Sequence, residues 1–140
     1  MILQCHSAIV TLATSDINKL IIFYTQLLQQ EPVNYIPNVY AEFDLPGLRL
    51  GIFRPKESEL SEFQNSGQST IGLCLEVNDL ENAIAHFTKL GYPPPGQIIT
   101  ASHGREIYAY DPAGNRLILH QSKTQVKSEN PSDKLEKNKR

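Results

Sequence analysis

The sequence has 140 residues, 40% apolar and 20% charged, which suits one globular domain with a core of its own. Its formal net charge of −2 lacks the basic excess that phosphate-backbone binding needs, so nucleic acid is not an expected partner. No apolar run reaches the ~20 residues of a membrane span, and no charged-then-apolar leader opens the chain. Membrane is therefore not an expected partner, and a cytoplasmic protein is the default.

In chain order, Ser7 to Leu12 is rich in Ile, Val and Leu and reads as a strand. Ser15-Asp16 then supplies a helix cap. Ile17, Leu20, Ile21, Tyr24, Leu27 and Leu28 follow at helical spacing. A weaker strand carries Tyr40 and Glu42, and Phe43 to Leu50 forms a hairpin around Pro46-Gly47. Arg54 to Gly67 is polar and turn-rich, a linker that would also suit a flap over a site. A second strand-like run, Thr70 to Val77, leads to the cap Asn78-Asp79. Leu80, Ala83, Ile84, Phe87 and Leu90 each stand 63 positions after an apolar residue of the first helix. This helix should stop at Gly91, before Pro93, Pro94 and Pro95. Ser102 to Glu106 is a polar turn entering a strand with Tyr108 and Tyr110. Tyr110-Asp111-Pro112-Ala113-Gly114-Asn115-Arg116-Leu117 repeats the plan of Phe43 to Leu50, and its Asp-Pro start and Gly end fit a turn.

The chain therefore reads as two βαβββ modules, about residues 5–54 and 69–121, joined by a linker over 55–68. The fold class is α+β, a curved mixed sheet forming a cup with the helices outside. The domain spans 1–121. From Ser122 to Arg140 there are six basic and three acidic residues, net +3, which leaves 7 basic and 12 acidic residues, net −5, in the body. With only Val126 and Leu135 apolar, residues 122–140 are expected to be a disordered basic tail. Cys5 and Cys74 form no metal spacing. No Walker loop, GxSxG elbow, HExxH or GxGxxG occurs.

The order and duplication of Ser15-Asp16, Phe23-Tyr24, Asn78-Asp79-Leu80, Leu90-Gly91-Tyr92 and Asp111-Pro112-Ala113-Gly114-Asn115 resembles the vicinal oxygen chelate superfamily, which includes glyoxalases, bleomycin-resistance proteins and extradiol dioxygenases. The resemblance implies the glyoxalase-like cup and, in the enzymes, a divalent metal held by one ligand pair per module. It also implies homodimers in many members. The ligand positions fall on Ile9, Gly51, Gly72 and Ile118, none of which can bind a metal, so no cofactor is expected.

Strand alternation places Thr11, Phe53, Cys74 and His120 two residues beyond those positions and on the same cup-facing side. His120 is the strongest candidate, as ligand, base or hydrogen-bonding group. Phe53 is read as a stacking or core aromatic, and Cys74 as a small apolar group. Gly51 and Gly72 leave room for a ligand or for a large neighbour. Tyr108 belongs to the cup lining, and His103 and Arg105 are placed to hold an anionic group. The sequence does not fix which face Glu42 takes; an outward, solvated carboxylate is preferred over an inward one, because buried Glu is rare. His6 is placed outside the cup and His86 on the solvent side of its helix. The first reading is a protein that binds a small organic molecule in the cup without metal. The alternative is a lyase, isomerase or dioxygenase with displaced ligands, such as His120 with Glu42 and His103. A third is an interaction domain whose cup is filled by its own side chains.

Overall fold

The computed structural model describes residues 3–64 and 68–123. Of the tail predicted over 122–140, Ser122 ends the last strand and residues 124–140 lie outside those described. The first module contains β1 (Val10–Ala13), α1 (Ile17–Leu28), β2 (Asn34–Ile36), β3 (Tyr40–Leu45) and β4 (Leu48–Phe53). The second contains β5 (Leu73–Glu76), α2 (Leu80–Lys89), β6 (Ile99–Ala101), β7 (Gly104–Tyr110) and β8 (Arg116–Ser122). Each builds a four-stranded sheet, ordered β1-β4-β3-β2 and β5-β8-β7-β6. The β1–β4 and β5–β8 pairs are parallel and the others antiparallel. The duplication read from the helices therefore holds for strand order and direction too. Both opening strands are shorter than their apolar runs, starting at Val10 and Leu73 rather than at Ser7 and Thr70. The linker is not irregular throughout, since Glu57–Phe63 winds into a 3-10 helix.

Both helices start as their caps dictate. The Asp16 side chain accepts from the Lys19 N–H at 3.3 Å, and Asp79 from the Asn82 N–H at 3.0 Å. Their ends differ. α1 closes on Gln29 in the left-handed region, at φ 52°. After α2, Gly91 takes φ 96°, and the Tyr92 N–H donates to the Phe87 carbonyl. A residue with no Cβ adopts that conformation without strain.

The apolar stripe of each helix covers one face of its sheet. Ile17, Leu20, Ile21 and Tyr24 lie over Ala41, Phe43, Leu50 and Ile52, while Leu80 and Phe87 lie over Ile107, Ala109, Leu117 and Leu119. Each fully buried large side chain contributes roughly 1.5–3 kcal/mol. The modules meet through aromatic residues. Phe23 of α1 packs edge-on against Phe87 and Tyr92, with centroids 5.8 and 5.3 Å away.

One buried acid adds a polar tie across that junction. Asp111 accepts from the Tyr24 hydroxyl at 2.7 Å, from the Ala113 and Asn115 N–H groups, and from the Asn115 side-chain amide. Four donors satisfy a carboxylate that is only 3% exposed. Burial, and secondarily the Asp111 charge, pushes the Tyr24 hydroxyl pKa well above its ordinary value. The Asp-Pro-Ala-Gly-Asn turn thus fastens its own hairpin and the first module's helix together. No helix among the described residues is long and apolar enough to cross a membrane.

Candidate functional site

On each sheet the face away from the helix carries the residues that alternation assigned to the cup. The resemblance places metal ligands at Ile9, Gly51, Gly72 and Ile118, and these positions offer no donor atom. Gly51 is filled by a neighbour. A Cβ there would stand 2.9 Å from the Tyr40 hydroxyl and 3.3 Å from Ile9. Gly72 is open, since its Cβ would meet only ordinary contacts at 3.6 Å or more.

Glu42 corrects the expectation of a solvated carboxylate. It lies on the face away from α1 and is 8% exposed. It accepts from the Tyr40 hydroxyl at 2.8 Å and from the Arg49 guanidinium at 3.3 Å. Arg49 also donates to the Ser7 hydroxyl. Burial first, and then Glu42, raises the Tyr40 pKa. A buried carboxylate is tolerable when paired in this way. Glu42 is therefore a partnered element of the first sheet, not a free third ligand for His120 and His103.

Between the two modules lies a cleft of about 530 Å3. It runs along β1 (Val10, Thr11, Leu12) and along Leu73 of β5 with the two residues before it, Ile71 and Gly72, with Phe63 of the linker at one side and Asn115 and Arg116 at another. The two edge strands are not hydrogen-bonded to each other, so the cup is open there. Of the predicted lining residues, Thr11 borders this cleft. Phe53 instead packs edge-on against Phe63, with centroids at 5.4 Å.

The second sheet brings together a different set. Register pairs Glu76 and Glu106 with His120 from either side. His120 is 8% exposed, and its Nδ1 lies 2.8 and 3.0 Å from the two Glu76 carboxylate oxygens. Its Nε2 is buried without a hydrogen-bond partner among the described residues. His103 stacks on it, with centroids 5.1 Å apart and planes at 16°. Tyr108 and Cys74, one row further along the sheet, are exposed. Desolvation, then Glu76 and Glu106, raises the Cys74 pKa, which keeps it a thiol rather than a nucleophilic thiolate.

Arg105 faces the other way. Its guanidinium grips Glu81 at 2.6 and 2.9 Å and reaches Gln121, whose side chain accepts from the Leu80 N–H at the start of α2. It is a strut between sheet and helix and does not line the cup. His86, placed on the solvent side by its helical position, is half-buried, with Nε2 3.1 Å from the Gln26 carbonyl of α1. Sequence reasoning singled out His103 and His120 but passed over Glu76 and Glu106. The usable signal was alternation, since Glu76 sits two residues beyond Cys74 and Glu106 two before Tyr108.

The family model described as Glyoxalase/Bleomycin resistance protein/Dioxygenase superfamily matches residues 6–119. No match is found among curated proteins. Among solved structures, a glyoxalase/bleomycin resistance protein from Catenulispora acidiphila is 22% identical with a TM-score of 0.61, covering 81% of this chain and 96% of that one. The fosfomycin resistance protein FosX from Listeria monocytogenes is 18% identical with a TM-score of 0.68, covering 87% and 97%. A bleomycin resistance determinant encoded on transposon Tn5 is 19% identical with a TM-score of 0.59, covering 85% and 99%. At these identities the likeness is one of fold.

Proposed function

The chain belongs to the Glyoxalase/Bleomycin resistance protein/Dioxygenase superfamily, and we propose that within that fold it binds a small, mainly apolar organic molecule in the cleft between its modules. The carrying observation is the cleft itself. Its volume of about 530 Å3 lies within the roughly 300–1,000 Å3 range of small-molecule sites. Val10, Leu12, Phe63 and Leu73 supply apolar walls, and Thr11 and Asn115 supply polar groups that would orient a ligand. Gly72, where the resemblance would put a metal ligand, instead contributes open space. The reading is therefore one of binding, with selectivity set by shape and a few hydrogen bonds.

Anilinonaphthalene sulfonate and a panel of small aromatic and aliphatic compounds, screened by fluorescence and thermal shift, test it. Binders are expected, and Gly72→Phe, at a position where an added Cβ meets nothing closer than 3.6 Å, should abolish their binding and leave the far-UV circular dichroism unchanged. If nothing in the panel binds, or if binders ignore Gly72→Phe, the cleft is not a ligand site.

A further inference from the structure

We propose that His103, Glu106 and His120 form a site for one divalent transition-metal ion of the zinc class, with His120 binding through Nε2. The inference does not depend on the cleft. Arg116 of the cleft and His120 stand four residues apart on β8, roughly 13 Å along the strand, so an ion here would not touch a molecule bound there.

The geometry begins with Glu76. Its carboxylate engages Nδ1 of His120 and can only accept, so in the neutral imidazole that nitrogen carries the proton and Nε2 the lone pair. An acid on the far ring nitrogen is the usual way a metal-binding histidine is oriented and made more basic. Nε2 is then an acceptor, buried and unpartnered among the described residues. Leaving such an atom unsatisfied costs about 1–3 kcal/mol.

Ligand-capable atoms of His103, Glu106 and His120 all lie within 4.8 Å of one another. Bonds of ~2.0–2.2 Å to a tetrahedral ion space its ligands at about 3.3–3.6 Å. The exposed His103 ring has to turn out of its stack on His120 to aim a ring nitrogen at the same ion and close that difference. The Glu106 carboxylate has no hydrogen-bond or ion-pair partner among the described residues. Gly104 keeps the space open, because a Cβ at that position would stand 3.1 Å from His120 Nε2. Two imidazoles and one carboxylate suit Zn2+, Co2+, Ni2+ or Fe2+ better than the oxygen-seeking Mg2+ or Ca2+. Three protein ligands leave a coordination position open, and the ion would clamp the β6–β7 turn to β8.

The full chain, purified without a metal-binding tag, is titrated with Co2+ and then Zn2+. The expected result is one ion per chain, with the visible absorption of a four- or five-coordinate Co2+ that Zn2+ displaces, and a Zn2+-dependent shift of the His120 Nε2 resonance. His103→Ala, at an exposed position, and Glu106→Gln, which keeps the size of the side chain, should each weaken Zn2+ binding at least ~10-fold. Glu76→Gln should weaken it by a similar ~10-fold through ring orientation, whereas His86→Ala should leave it unchanged. Absence of Zn2+ and Co2+ binding, or an affinity indifferent to His103→Ala and Glu106→Gln, overturns the proposal.

Discussion

The two modules share strand order, strand directions and sheet register, yet equivalent rows of their sheets carry opposite chemistry. In the first, Ala13, Phe53 and Tyr40 stand side by side across β1, β4 and β3. In the second, the same row across β5, β8 and β7 reads Glu76, His120 and Glu106. The first row is closed by an aromatic from the linker, Phe63. The second is overlain by His103. Their hairpins differ in the same sense. Asp44 is exposed beside a tight turn, whereas Asp111 is buried with four donors around it. The two copies thus share a backbone plan, while this row mainly packs in the first and gathers ionisable groups in the second.

The largest expected effect tests whether the second hairpin is the polar anchor of the junction. Asp111→Ala strands the Tyr24 hydroxyl and the turn N–H groups in a buried setting, and should cost about 3–5 kcal/mol in urea unfolding. Asp44→Ala, at the exposed counterpart, should stay within about 0.5 kcal/mol. Equal costs would erase the asymmetry between the hairpins.

A smaller effect is expected at the turns that precede the inner strands. The second module's β6–β7 turn uses Gly104 at φ 151°, where a Cβ would lie 2.3 Å from the Gln121 carbonyl oxygen. Gly104→Ala combines backbone strain with a clash against main chain and should cost about 2–4 kcal/mol. The first module's equivalent turn uses Asn38 at φ 63°, bonded to Asn18 at 3.2 Å. Asn38→Ala should cost about 1 kcal/mol. Thermal unfolding of the two variants ranks them, and a Gly104 variant as mild as the Asn38 one would mean that the second turn yields easily.

Local periodicity made much of this fold legible. Ile17, Leu20, Ile21 and Tyr24, with their repeat at Leu80, Ala83, Ile84 and Phe87, marked both helices, and the two Asp caps marked their starts. The matching hairpins then gave the module plan. The site was less legible, because its members are joined by register rather than by sequence distance. His120 stands 44 positions from Glu76, and only the parallel β5–β8 pairing brings them together. Glu42 was misjudged because its partners depend on the same kind of pairing. An acid on a strand is costly alone but tolerated once Tyr40 and Arg49 reach it, and a rule about typical exposure cannot foresee that.

The smallest effect separates a strut from a ligand-binding cation. Arg105 is held by Glu81, and its hydrogen bonds, ahead of backbone and charge effects, lower the Glu81 pKa to about 2. A carboxylate whose folded pKa is depressed adds stability above its ordinary pKa of about 4.5, and loses that contribution as the pH falls toward 2. Both side chains are solvent-accessible, so screening keeps the effect on unfolding small, and the titration itself is the sharper observable. Carboxyl carbon NMR should show Glu81 titrating near pH 2, and Arg105→Gln should return it toward its ordinary value. The first module has no equivalent pair among the described residues, since Arg49 turns to Glu42 on the opposite face of its sheet. An unshifted Glu81 would release the Arg105 guanidinium from α2 and make it available to an anionic ligand, and the two modules would then differ by a binding group rather than by a brace.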